Sequence, residues 1–188
     1  MLVHIIRHGT ASHLLENYRR KVNYEEICTL LHDWGTSSLT EVGREEINKV
    51  YENMVANYSH LYYSPLKRTR QSAKPFAKHP DILTSEEMPG LAEIFILPPF
   101  LPKRIKLSIG TWVYLCVFKS FYTLKVVTYL KEARNILKIV AESKKDSLLV
   151  SHQARIITIM LYCFFSFKWK VLRVNVKPAG ISIVKKVK

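Results

Sequence analysis

Residues 2–9 read "LVHIIRHG". An apolar run stops at an arginine, a histidine and a glycine. Leu2 to Ile6 have the character of a short buried strand, so Arg7, His8 and Gly9 fall at its carboxyl end. In open α/β sheets that edge is where ligands bind. Gly9 would let the backbone approach an anion closely. A helix starting soon afterwards would aim its positive end at the same place. An arginine and a histidine paired with local carboxylates explain the triplet equally well, so it decides nothing alone. His4, inside the strand, reads as a hydrogen-bonded core histidine.

Two later segments repeat the arrangement. "YYSPLKRTRQSA" (62–73) runs from a strand through a turn into a basic helix. There Lys67 and Arg70 are neighbours at i, i+3 while Arg68 points about 100° away from Lys67, so one basic residue can face the sheet edge and the others solvent. "LLVSHQARI" (148–156) carries an apolar strand straight into His152. Strand ends usually carry turn residues. Three ending in His8, Arg68 and His152, in the same sense of the chain, point to one shared anion site.

The rest of the chain alternates strand and helix signals. The pattern predicts a helix near 12–31, a turn at "DWGTSS" (33–38) and a helix over "LTEVGREEINKVYENMVANY" (39–58), capped by Thr40. Strands follow at 60–64 and 82–85 around the helix that opens at Pro65. Residues 86–110, rich in proline, read as an irregular insertion. A helix is clearest at 125–143; then come a strand at 147–151, a helix over 153–166 and two final strands joined by a turn at Pro178 to Gly180. This alternation predicts an α/β fold: a three-layer α/β/α sandwich with a mostly parallel sheet and helices on both faces. The whole chain, 1–188, reads as one domain with a roof inserted at about 86–124.

The combination "RHG", "LTEVGRE", "YYSPLKRTRQSA", "LAE" and "LLVSHQ" resembles the histidine phosphatase superfamily, the phosphoglycerate mutase-like family. The motifs span residues 7 to 152. The resemblance implies that His8 is the nucleophile that becomes phosphorylated, that Arg7 and Arg68 clamp the phosphoryl oxygens, and that His152 is the second pocket histidine. It puts Glu93 of "LAE" where the family usually has its proton donor, and makes Ser64 structural. It implies a phosphatase acting on a phosphomonoester or a phosphohistidine, with no metal and no cofactor. A catalytically weak phosphate-binding protein on the same fold is the alternative, and a mutase ranks lower because the chain is short.

The chemistry fits those residue types. A phosphomonoester carries about −1.5 to −2 charge at neutral pH, which two forked guanidinium groups match. A neutral imidazole can attack in line and split one displacement into two. A protonated His152 would add charge beside the transferring group. The leaving alkoxide needs a proton. Glu93 sits among Leu91, Ala92, Ile94 and Phe95, surroundings expected to raise its pKa by desolvation; Glu86 and Glu87 stand close by as competitors. The chain departs from the family at Thr10-Ala11-Ser12, where a polar residue two after the glycine is usual, and at Gln153-Ala154, where glycines are common. Arg155 would add positive charge or face solvent. The roof is apolar and aromatic with a basic rim, which suits a hydrophobic phosphoester or simple core packing.

Composition bounds the rest. The net charge of +14 attracts anions: phosphorylated metabolites or a phosphoprotein substrate, nucleic acid or an acidic membrane surface. No zinc-finger or single-strand-binding motif accompanies it, so specific nucleic-acid binding is not expected, while weak contact with anionic surfaces is. Cys28, Cys116 and Cys163 are scattered and odd in number, which fits free thiols and a reducing compartment, hence a cytoplasmic location. The opening strand is not a signal peptide. Ile109 to Leu130 is interrupted by lysines and Ile156 to Phe167 is short, so neither reaches the roughly 18 apolar residues of a spanning helix.

Overall fold

The computed structural model describes residues 1–15, 18–54, 58–94, 98–122 and 125–187. Part of the expected roof, and Phe95 beside Glu93, lie outside them. The main sheet has six strands: β1 (Leu2–Arg7), β3 (His60–Tyr63), β4 (Thr84–Glu87), β6 (Ser147–Ser151), β7 (Trp169–Arg173) and β8 (Ile181–Lys186), ordered β4-β3-β6-β1-β8-β7. The pairs β4–β3, β3–β6 and β6–β1 are parallel; β1–β8 and β8–β7 are antiparallel. A short separate pair joins β2 (Lys21–Val22) to β5 (Leu107–Ser108).

Helices α1 (Tyr24–Thr36), α2 (Glu41–Glu52), α3 (Lys67–Ala73), α4 (Ile109–Tyr122), α5 (Lys125–Glu142) and α6 (Gln153–Phe165) complete the fold. The central strand β6 is buried at every residue, as a strand covered on both faces must be. One core packs α5 and α6 against Val3, Ile5 and Leu149; the other packs α2 and α3 against Ile6, Leu61 and Val150. Successive strand residues thus feed opposite layers. The expected three-layer sandwich with a mostly parallel sheet is the fold observed. Among the described residues no helix is long and apolar enough to cross a membrane.

Local differences from the sequence reading have local causes. No long helix follows Gly9. A 3-10 turn (Ser12–Leu15) and β2 come first, and α1 starts at Tyr24, where Asn23 and Glu26 form a reciprocal capping box. That helix runs through Asp33-Trp34-Gly35, so the turn expected there begins only at Ser37. The strand expected at 82–85 lies at Thr84–Glu87, paired in register with β3, so Glu86 and Glu87 belong to the sheet. His4 Nδ1 makes no hydrogen bond among the described residues; its ring meets Tyr58 edge-on at 5.0 Å instead. In the expected roof, Ile109 and Trp112 are core residues packed with Val22 and Ile27, and Trp112 Nε1 donates to the Val22 carbonyl at 2.9 Å. Tyr114 and Phe118 of the same helix are exposed.

The motif "LTEVGRE" buttresses the loop after β1. Thr40 caps α2 by accepting the Gly43 N–H at 3.0 Å, and its hydroxyl donates to the Thr10 carbonyl at 2.9 Å. Glu46 accepts both the backbone N–H and the hydroxyl of Thr10. A Cβ at Gly43 would collide with the Thr10 carbonyl oxygen, and a Cβ at Gly9 with that of Gly43. Gly9 is therefore required by its packing on α2. Helix propensity alone makes Gly43→Ala stabilising by up to about 1 kcal/mol. The collision predicts the opposite sign, a loss of about 1–3 kcal/mol in urea denaturation. A variant as stable as wild type would contradict this packing.

Candidate active site

The parallel register puts Arg7 beside Ser151, and the His8 N–H donates to the Ser151 carbonyl at 3.0 Å. Residues next in chain, His8 and His152, therefore emerge side by side, with ring centroids 5.1 Å apart. Ser64 follows β3 on the neighbouring strand end, and its hydroxyl lies 2.8 Å from His152 Nε2. α3 begins just beyond it and buries Arg68 to 1% exposure, while Lys67 and Arg70 face outward and Arg70 pairs with Glu87 at 2.9 Å. α6 starts at Gln153 with His152 as its N-cap, so the positive end of that helix faces the cluster. The helix end expected after Gly9 is supplied by α6 instead.

Arg68 organises the centre. Its Nη1 donates to the Trp34 carbonyl at 2.6 Å, its Nε to His8 Nε2 at 3.2 Å, and its Nη2 to Glu93 Oε2 at 3.3 Å. His8 Nδ1 lies 2.7 Å from the Gly9 carbonyl, a contact that requires the Nδ1–H tautomer. Its Nε2 lone pair therefore faces the Arg68 donor and the interior. Burial holds His8 well below the usual histidine pKa, and the charges of His152 and Arg68 act in the same sense. Burial also lowers His152, although Glu93 opposes it. His8 is therefore neutral at neutral pH.

Glu93 does not stand protonated in this arrangement. Its Oε2 is 3.3 Å from both Arg68 Nη2 and His152 Nδ1. Burial raises its pKa, but His152 and Arg68 more than offset that and hold the carboxyl below its ordinary range. The desolvation anticipated from its apolar neighbours is present; the cations outweigh it. The loop that carries it is anchored on both sides. Ser151 Oγ donates to the Leu91 carbonyl at 2.8 Å, and Arg155 Nε to that of Ala92 at 3.3 Å. Arg155 is buried and pairs with Glu132 at 2.7 Å, so it braces the loop and neither lines the cluster nor faces solvent.

Arg7 is held by the final hairpin loop. Its Nη1 donates to the Val176 carbonyl at 2.8 Å, and its backbone N–H to that of Gly180 at 3.0 Å. Ala179 there adopts a φ of 53°, a conformation costly for a residue with a Cβ. Arg7 Nε and His152 Nδ1 are buried without an aligned hydrogen bond among the described residues. The guanidinium groups of Arg7 and Arg68, the His152 ring and the N-terminus of α6 thus gather near the Glu93 carboxylate. Such a cradle suits an anion. Ligand atoms of His8, Glu93 and His152 lie within 4.8 Å of one another, a spacing that could hold a metal ion. Arg68 already occupies the His8 Nε2 lone pair and faces Glu93, and a cation there would meet two buried positive charges.

His13 escaped the sequence reading. Its ring is 5.9 Å from that of His8 and packs against Trp34 at 5.5 Å, and its Nδ1 lies 2.8 Å from Ser37 Oγ. Burial, aided by Arg68, lowers its pKa to about 4. Only a histidine five residues past His8 could have signalled it. Because the folded pKa is depressed, His13 costs no stability above pH 6.5, and stability falls as pH drops from 6.5 toward 4 while the unfolded chain takes up the proton. NMR titration should find His13 titrating near 4, and His13→Gln should lessen the acid loss of stability in that window. A titration near 6.5 would contradict the burial.

The chain can now be set against known proteins. The profile of the histidine phosphatase superfamily (branch 1) matches residues 3–97, which include Arg7, His8, Arg68 and Glu93. No curated protein matches the sequence. Among solved structures, a mutant phosphoserine phosphatase from Entamoeba histolytica, in complex with phosphoserine, is 19% identical, with TM-score 0.63 over 97% of this chain and 89% of that one. Phosphoglycerate mutase from Bacillus anthracis is 15% identical, with TM-score 0.64 over 98% and 88%. The ecdysone phosphate phosphatase from Bombix mori, in complex with tungstate, is 13% identical, with TM-score 0.58 over 100% and 92%. The fold is that of these enzymes, and with half its length matched by the profile, the chain belongs to the histidine phosphatase superfamily.

Proposed function

We propose that the protein is a metal-independent phosphatase that hydrolyses a phosphomonoester through phosphohistidine at His8. The observation that carries this reading is the buried His8, whose Nε2 meets Arg68 Nε at 3.2 Å while its ring lies 5.1 Å from that of His152. The phosphoryl group enters the space Glu93 now shares. Arg68 slides its donors from His8 Nε2 to the phosphoryl oxygens, which frees the lone pair. Arg7 Nε and His152 Nδ1 supply the remaining donors and stabilise the charge that develops on the equatorial oxygens.

Glu93 changes state with the substrate. In the free protein the cations keep it ionised. A dianionic phosphoryl group takes over those cations, leaving the carboxylate beside negative charge in a desolvated site. Both effects raise its pKa. It then binds a proton and delivers it to the leaving alkoxide as His8 attacks phosphorus. In the second step the carboxylate takes a proton from water, whose oxygen attacks phosphorus, and the P–N bond breaks to return neutral His8 and phosphate.

In the same reading the described part of the expected insertion beyond β4 roofs this site. His13, Trp34 and Tyr18 make an aromatic wall, with Trp34 5.5 Å from His13 and 6.1 Å from Tyr18. Such a wall favours an aryl or alkyl group over a polyhydroxylated one. Turnover should rise along a series of phosphomonoesters of growing apolar size; equal turnover along it would remove the preference.

Hydrolysis of an aryl phosphate in EDTA tests the mechanism. Activity should survive the chelator and fall by on the order of 10³ or more in His8→Ala. Equal rates in both would exclude His8 as nucleophile. With a folded protein, phosphate binding without turnover in either would assign a binding role. Glu93→Gln should cost alkyl phosphates about 10²–10⁴ in rate but aryl phosphates, whose leaving groups need less protonation, much less. An equal loss for both would contradict a general-acid role.

A further inference from the structure

The far end of the molecule carries a surface that the reaction does not use. On α6, Ile157, Leu161, Phe164 and Phe165 are spaced i, i+4, i+7, i+8 and all face outward, at 40%, 38%, 78% and 72% exposure. Just beyond the helix Phe167 is 100% exposed. An apolar stripe normally faces the core; here a second one points away from it. Phe164 and Phe165 meet edge-on at 5.4 Å.

Positive charge flanks the phenylalanine end of this stripe. From Ser147 to Lys188 the chain has eight lysines and arginines and no aspartate or glutamate. The Val187 N–H donates to the Lys168 carbonyl at 3.0 Å, which brings the end of β8 beside Phe167 and Lys168. Arg134 of α5 and Lys168 line one surface hollow with Tyr162, Phe165 and Phe167, and both are exposed. On the sheet edge Lys186 is paired with Trp169, which packs under α6, while the Lys170–Lys185 pair alternates to the opposite face. None of Arg134, Lys168 and Lys186 has an ion pair among the described residues. On α5, Glu132 is taken up by Arg155, which leaves Glu142 as the acidic group of that helix free to offset them.

We propose that the α6 stripe with Phe167 and the neighbouring Arg134, Lys168 and Lys186 form a docking surface for an anionic lipid bilayer. The phenylalanines enter the interface between headgroups and acyl chains, while the lysines stay with the headgroups. A second copy of the chain paired along β7 would set Lys170 and Arg173 against like charges. A nucleic acid would satisfy the lysines and could stack on the phenylalanines, but gives Ile157 and Leu161 nothing to enter. The phenylalanines and Lys168 lie at the other end of α6 from the cradle, where the helix starts; its 13 residues span about 20 Å. A docked protein keeps its site open to the aqueous side.

Sedimentation of the full protein with vesicles tests this. Phosphatidylcholine vesicles containing about one-third phosphatidylserine should carry the protein down, less so as salt rises, and pure phosphatidylcholine should not. A Phe164→Ser/Phe165→Ser/Phe167→Ser variant and an Arg134→Glu/Lys168→Glu variant should each bind at least about tenfold less. Both should keep the wild-type circular dichroism. Phe167→Ser alone, at a fully exposed position, should weaken binding measurably and serves if the triple variant does not fold. Equal sedimentation with both lipids, or with neither, would overturn the proposal. So would full binding by the phenylalanine variants, tighter retention on single-stranded RNA than on the vesicles, or a dimer that dissociates in the triple variant without any lipid binding.

Discussion

The structure depends on the parallel pairing of β1 with β6. Because Arg7 stands opposite Ser151, the residues that leave the two strands are neighbours, and His8 and His152 meet without a loop to span the gap. A slip by one residue would turn each strand's core side chains toward the wrong layer. Ile5 and Leu149 would leave the core under α5 and α6, and Ile6 and Val150 that under α2 and α3. The geometry of the histidine pair is thus guarded by the packing of two cores.

Electrostatics then decides what the pair can do. Arg68 is fully buried, a placement that is expensive unless every donor is matched. Its partners are His8, Trp34, Ser37 and Glu93. Arg7 is matched only in part, and His152 Nδ1 waits beside a carboxylate without an aligned bond. Glu93 acts as the resident anion that keeps two guanidinium groups tolerable in the free protein. A phosphoryl group offers the same cations more charge and more acceptors. In the proposed mechanism its arrival would exchange one anion for another and release the carboxyl to take a proton, so that the substrate itself would produce the pKa shift a general acid needs.

Much of this was legible in the sequence. Apolar strands ending in His8 and His152 mark the parallel strands and their ligand edge together. The helical phase of Lys67, Arg68 and Arg70 shows that one of the three turns inward. What escaped depends on distant partners. Glu93 sits among apolar neighbours in sequence, and those predict a raised pKa; Arg68 and His152, 25 and 59 positions away, reverse it. His13 comes near His8 because α1 starts late, at the Asn23 cap, and leaves room for the short turn that carries it. Gly9 suggested a close approach to a ligand, yet its neighbour is Gly43, a contact between two backbones that no local pattern announces. Arg155 looked free because Glu132 lies on another helix. Charge balance and backbone packing are settled in three dimensions, whereas strand ends and helical phase are written locally.

The central claim is that His8 carries the phosphoryl group. Rapid quenching of the protein during turnover of a labelled phosphomonoester, followed by peptide mapping, tests it most directly. The account predicts transient, acid-labile and alkali-stable label on the peptide holding His8, absent from His8→Ala. Label on another residue, or turnover at the wild-type rate with none trapped at any time, would contradict it.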